Sequence, residues 1–82
     1  MTRDEILAGV AAVAREHLAY DGELRLDQRL VEDLTLDSIR LLTLAAEVEN
    51  RFRVTLDATD EAGIETVADL VEVLAEKLGA AG

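Results

Sequence analysis

Apolar residues recur at helical spacing in three stretches of the chain, and each stretch follows a residue suited to capping a helix. Ile6, Leu7, Val10, Val13, Ala14 and Leu18 form the first stripe. Thr2 precedes it with Glu5 three positions on, the pattern in which two side chains satisfy each other's backbone N–H groups. This helix is expected to stop near Tyr20, because Asp21-Gly22 is a turn signal. Leu41, Leu44, Ala45, Val48 and Phe52 make the second stripe, on a helix from about Ser38 to Phe52 behind Asp37 as cap. Val67, Leu70, Val71, Leu74 and Leu78 make the third. Thr66 caps it with Asp69 three residues later, Lys77 sits in the last turn, and Gly79 ends it.

The connections are unequal. Residues 21–36 carry Leu24, Leu26, Leu30, Val31, Leu34 and Leu36, so this long segment is expected to pack over the core. Glu23-Leu24-Arg25-Leu26 alternates like a strand, but a lone four-residue alternation has no partner to pair with. Asp27 to Leu30 fits a helical turn. Arg53-Val54-Thr55-Leu56 reads as extended, and Asp57 to Gly63 fits one or two helical turns with Thr59 and Asp60 as caps. The tail from Ala80 to Gly82 is expected to fray. The pattern predicts an all-α fold: a small four-helix bundle of three long helices and one short, with a long loop between helices 1 and 2, in one domain spanning residues 1–82.

Composition changes this picture in three ways. Only Tyr20 and Phe52 are aromatic, so the core must be built from Leu, Val, Ile and Ala, which suits helices and leaves room for a guest. There is no cysteine, which excludes disulfides and thiolate metal sites and means that thiol chemistry cannot come from the chain's own side chains. The net charge is −10, which argues against nucleic acid as a partner. The same charge fits either basic partners or simple solubility. The run Ile6 to Ala14 is too short for a signal peptide and no segment can span a membrane, so a cytoplasmic monomer is expected.

Candidate chemistry is sparse. The single histidine, His17, lies on the first helix, far in sequence from Ser38. No Gly-x-Ser-x-Gly turn, glycine-rich phosphate loop or calcium-loop pattern is present. The chain reads as neither an enzyme nor a metal site. What remains is Asp37-Ser38 at the start of the second helix. It is either an ordinary cap or a hydroxyl placed where helix N–H groups favour an anion.

Here Asp33-Leu34-Thr35-Leu36-Asp37-Ser38-Ile39-Arg40-Leu41-Leu42 resembles the phosphopantetheine attachment motif of acyl carrier proteins. Glu47-Val48-Glu49-Asn50-Arg51-Phe52-Arg53-Val54 resembles the end of that family's second helix, and Ile64-Glu65-Thr66-Val67-Ala68-Asp69-Leu70 the start of its last. The three motifs come in order and cover most of the chain from Leu30 to Leu78. The resemblance implies that a phosphopantetheinyl transferase uses coenzyme A and magnesium to place 4′-phosphopantetheine covalently on Ser38, with Asp37 helping to hold the magnesium. It implies a non-catalytic carrier of acyl thioesters for fatty-acid, polyketide or related lipid synthesis. Its partners would be acyl-loading and acyl-processing enzymes such as a ligase, ketosynthase or acyltransferase. An acyl chain would find room between helices two and three, where Ala45 and Ala46 are small.

Two features depart from the family pattern. Thr35 stands where a glycine is usual, a change expected to alter the loop backbone locally. Arg40, Thr43 and Asn50 occupy positions often acidic, and from Asp37 to Arg53 three acids balance three bases, while Val54 to Gly82 carries seven acids and one base. The expected partner surface is therefore an apolar stripe of Ile39, Leu42 and Ala46 beside Ser38, with Glu47 at its edge. Packing of these residues under the long loop is the competing expectation. Alternative readings are a peptidyl, aminoacyl or D-alanyl carrier, or an unmodified helical adaptor. The neutral second helix and Thr35 lean toward a specialised pathway.

Overall fold

A computed structural model describes residues 1–79; the tail from Ala80 to Gly82 lies outside the described residues. The described chain forms four helices: α1 (Arg3–His17), α2 (Ser38–Phe52), α3 (Ala58–Ala62) and α4 (Val67–Leu78). The all-α expectation holds, with three long helices and one short. The side chains of Thr2 and Glu5 cap each other's backbone N–H groups at 3.2 and 2.8 Å. Thr66 and Asp69 repeat the arrangement at α4, and Gly79 ends that helix at φ 62°.

α1 packs against both α2 and α4. Ile6, Val10, Val13, Val48, Val67, Val71 and Leu74 are sealed at the centre, and no polar or charged residue is buried among the described ones. Leu7 and Leu78, expected in the stripes, are only partly covered. Gly9 lets α1 and α2 approach closely: a Cβ there would lie 2.5 Å from the Phe52 ring. Arg3 ties α1 to α4 through Glu72 at 2.7 Å.

Three local expectations need correction. α1 ends at His17, short of Tyr20, because Ala19 takes a left-handed turn (φ 56°) and the Leu18 and Tyr20 N–H groups both close on the Ala14 carbonyl. Gly22 is not needed for that reversal. The cap of α3 is Asp57, not Thr59; its carboxylate accepts from the Asp60 N–H while Asp60 accepts in return. The helical turn expected at Asp27 to Leu30 is split: a tight turn at residues 26–27 closes with the Gln28 N–H on the Arg25 carbonyl, and after the Arg29 bridge a second turn at residues 30–33 is closed by the Asp33 and Leu34 N–H groups on the Arg29 carbonyl.

The long connection packs over the core as expected, through Leu24, Leu30, Leu34 and Leu36, while Leu26 and Val31 stay exposed. Its anchor is not a strand but a single antiparallel bridge between Arg29 and Thr66. The first turn of a helix leaves N–H groups without partners inside the helix. In α4 the loop supplies two of them: Val67 donates to the Gln28 carbonyl and Ala68 to that of Leu26, each at 3.0 Å. The connection is thus part of the α4 cap, and this fixes where it delivers Asp37 and Ser38.

Candidate functional site

The chain arrives at α2 through Thr35, with an unusual backbone, and Asp37, with the ordinary extended geometry of a helix cap. Thr35 sits in the left-handed region (φ 54°) with its hydroxyl donating to the Leu34 carbonyl at 2.7 Å. The threonine therefore adopts the backbone for which glycine is favoured. Asp37 is extended (φ −85°, ψ −179°), and its Oδ1 accepts from the Arg40 N–H at 2.9 Å. Ser38 is the first helical residue and is exposed.

The start of α2 differs in charge from the other helix starts. α1, α3 and α4 each carry acids in the first turn, whereas α2 has none and holds Arg40 there. Free N–H groups and the positive end of the helix dipole stand at the Ser38 hydroxyl with no first-turn acid to offset them, which favours an anion such as a phosphodiester at that position.

Ser38 also lines a cavity of about 350 Å³. Its walls are Leu41, Leu42, Leu44 and Ala45 of α2, Leu30 of the loop, and Leu56, Glu61, Ile64 and Leu70 from the second half of the chain. The cavity lies against α2 but is not simply the expected space between helices two and three, since α3 gives it only Glu61 and the rest of the facing wall comes from the connections and from Leu70 of α4. Ala45 lines it, but Ala46 is exposed and does not. Leu30, Ile64 and Leu70 belong to this wall and were not singled out for it from sequence. Ile64, an apolar residue alone in a polar stretch, was the available signal. A smaller recess of about 270 Å³ shares Leu30, Leu41 and Ile64 and opens beside Arg29, Glu32 and Glu65.

Ile39 and Leu42 are 74% and 67% exposed, and Ala46 is exposed with them. They do not pack under the long loop. Glu47 is half-buried, 3.4 Å from His17 Nε2 across the α1–α2 contact. That pair lies nine residues beyond Ser38, roughly 13 Å along the helix, so the structure does not bring the histidine to the serine. No group of three or more metal-ligating side chains that could hold an ion is found among the described residues.

Comparison with known proteins agrees with this geometry. The family described as "Phosphopantetheine attachment site" matches residues 5–74. An acyl carrier protein of Kocuria rhizophila is 34% identical over 74 residues, covering 89% of this chain and 91% of its own. That of Thermotoga maritima is 34% identical over 79 residues, covering 95% and 98%. A meromycolate extension acyl carrier protein of Mycobacterium tuberculosis is 32% identical over 72 residues, 87% of this chain and 63% of that one. Among solved structures, a Mycobacterium tuberculosis chain assigned as an acyl carrier protein superposes with a TM-score of 0.81 at 30% identity, covering 87% of this chain and 96% of that one.

Proposed function

The chain belongs to the acyl carrier protein family, and we propose that Ser38 is the residue to which its 4′-phosphopantetheine is attached. The chain is a carrier of acyl groups on phosphopantetheine, in fatty-acid or related lipid synthesis. When bound, the arm supplies the terminal thiol that this cysteine-free chain lacks and holds acyl groups there as thioesters. The observation that carries the assignment is the position of Ser38: exposed, first in α2 and at the wall of the apolar cavity.

The chain's own residues prepare this position. Asp37 holds the first turn of α2 through the Arg40 N–H and leaves its other carboxylate oxygen free of that bond, available to a magnesium ion brought by the transferase and coenzyme A. The Ser38 oxygen would form the new bond to the phosphorus nearer the pantetheine of coenzyme A as the pyrophosphate P–O bond breaks, adenosine 3′,5′-bisphosphate would leave with that bond's electron pair, and the serine proton would pass to the transferase. The free N–H groups at the helix start would favour the resulting phosphodiester.

We read the chain as a single carrier domain over residues 1–82, a cytoplasmic monomer without catalysis of its own. A net charge of −10 keeps copies apart and supports the monomer. No helix among the described residues is long and apolar enough to cross a membrane. Its partners are a phosphopantetheinyl transferase and the enzymes that load and process the acyl group, contacting Ile39, Leu42 and Ala46, with Glu47 at the edge. Incubation with coenzyme A, magnesium and a phosphopantetheinyl transferase, followed by intact-protein mass spectrometry, tests the assignment. The expected result is a single added arm that Ser38→Ala abolishes. No addition with several transferases, or addition that survives Ser38→Ala, overturns it.

A further inference from the structure

We infer that the partner-reading surface of α2 is an uncharged strip, and that it fits an enzyme whose docking face is an apolar cleft rimmed by carboxylates. This rests on the reading that Ser38 carries the arm, because the strip begins at the next residue. Ile39, Leu42, Thr43, Ala46 and Asn50 follow one another at intervals of one, three or four along the side opposite Leu44, Val48 and Phe52. None is charged. The Thr43 hydroxyl donates back to the Ile39 carbonyl at 3.1 Å, which spends its polar group on the helix itself.

The acids of α2 are turned to other uses. The Asp37 carboxylate caps the helix, Glu47 pairs with His17, and Glu49 Oε2 accepts from the Leu56 N–H at 2.8 Å. Arg40 and Arg53, at the two ends of the strip, are exposed, and neither has a carboxylate at ion-pair distance among the described residues. A partner offering lysines and arginines would meet like charge at both ends. An apolar cleft covers Ile39 and Leu42, and carboxylates on its rim meet Arg40 and Arg53.

The experiment uses the full chain with an electrophilic pantetheine analogue on Ser38 and, as probe, the β-ketoacyl synthase of the same organism, following covalent capture with time. The mass of the loaded chain is read first. Between about 0.05 and 0.5 M salt the capture rate is expected to change less than roughly threefold, since screening removes only local contacts. Leu42→Ala is expected to slow capture about tenfold, as loss of a central apolar contact does. Arg40→Glu is expected to slow it as well. Both side chains are exposed, and far-UV circular dichroism checks that α2 is intact. A tenfold or greater loss of rate with salt, a faster Arg40→Glu variant, or an unaffected Leu42→Ala variant each overturns the inference while leaving the arm on Ser38 in place. Failure to load Ser38 at all overturns both.

Discussion

Filling the cavity against α2 with an acyl chain should stabilise the fold, and Ala45→Phe should remove most of that gain. A cavity of about 150 Å³ takes a benzene ring, so one of about 350 Å³ holds up to roughly twice as many carbons. It is open on one side and near Ser38, so about six methylenes of an octanoyl chain are a fair count for burial. At about 0.8 kcal/mol each they contribute about 5 kcal/mol. Ordering the flexible chain offsets about half, leaving about 2–3 kcal/mol. For a domain of this size each kcal/mol moves the melting temperature by about 4–8 °C, so the octanoyl form should melt roughly 8–24 °C above the form with a bare arm. An acetyl form should gain almost nothing. The Ala45→Phe ring occupies about the volume of benzene and should cut the octanoyl gain by half or more. Differential scanning calorimetry of the bare, acetyl and octanoyl forms measures this. Octanoyl and bare forms melting within about 2 °C of each other, or an undiminished gain in Ala45→Phe, would refute the reasoning.

Gly9→Ala raises helix propensity by about 1 kcal/mol but drives a methyl into the Phe52 ring, an overpacking that costs about 1–3 kcal/mol, so chemical denaturation should show a net loss. Asp37→Asn keeps a good cap but loses the carboxylate; melting should hold within about 2 °C while phosphopantetheine transfer slows at least about tenfold, and equal rates would remove magnesium binding from Asp37. Lys77→Gln breaks the 2.9 Å pair to Asp60 that ties α3 to α4, so amide exchange in α3 should quicken roughly three- to tenfold with α1 unaffected. The Asp60, Asp69 and Glu72 carboxyls are held below their ordinary range by hydrogen bonds from Lys77, from the Glu65 and Thr66 N–H groups, and from Arg3 respectively. A depressed folded value means their contribution is present above the ordinary carboxylate range near pH 4 and lost as pH falls through the folded values; a melting temperature that rises from about pH 4 to pH 2 would contradict it.

Whatever is local was legible from the residues. Thr2 with Glu5 and Thr66 with Asp69 each lie within one turn, and the three stripes follow the helical repeat, so helix starts and inward faces were readable. Helix ends were less so. Ala19 and Arg53 both reverse the chain in the left-handed region without glycine, which no composition rule marks. α3 buries no residue, so it has no stripe, and its Asp57–Asp60 box uses an acid where serine or threonine is the usual signal. The grip of the loop on α4 and the wall of the cavity join residues such as Arg29 with Thr66 and Leu30 with Leu70, whose meeting depends on the whole fold. Thr35 shows the limit most plainly: its identity pointed to a changed backbone, yet it occupies the left-handed geometry that suits glycine, at a cost of about 1–2 kcal/mol.

Charge counting on α2 was correct as arithmetic and incomplete as physics. Three acids and three bases sum to zero, but their surroundings are not alike. Asp37 is drawn to a backbone N–H, Glu49 to another, and Glu47 to an imidazole on α1. The Arg40 guanidinium stays at the surface in the first turn of α2, with no carboxylate at ion-pair distance among the described residues. What faces a visitor is therefore an apolar strip with a positive start, set in a chain of net charge −10. Both tasks assigned to this position follow from that arrangement. A phosphodiester on Ser38 would sit at the free N–H groups of the helix start, and an enzyme approaching along the outer side of α2 would meet the exposed Ile39 and Leu42. The internal bonds that consume Glu47 and Glu49 thus determine recognition as much as the exposed residues do.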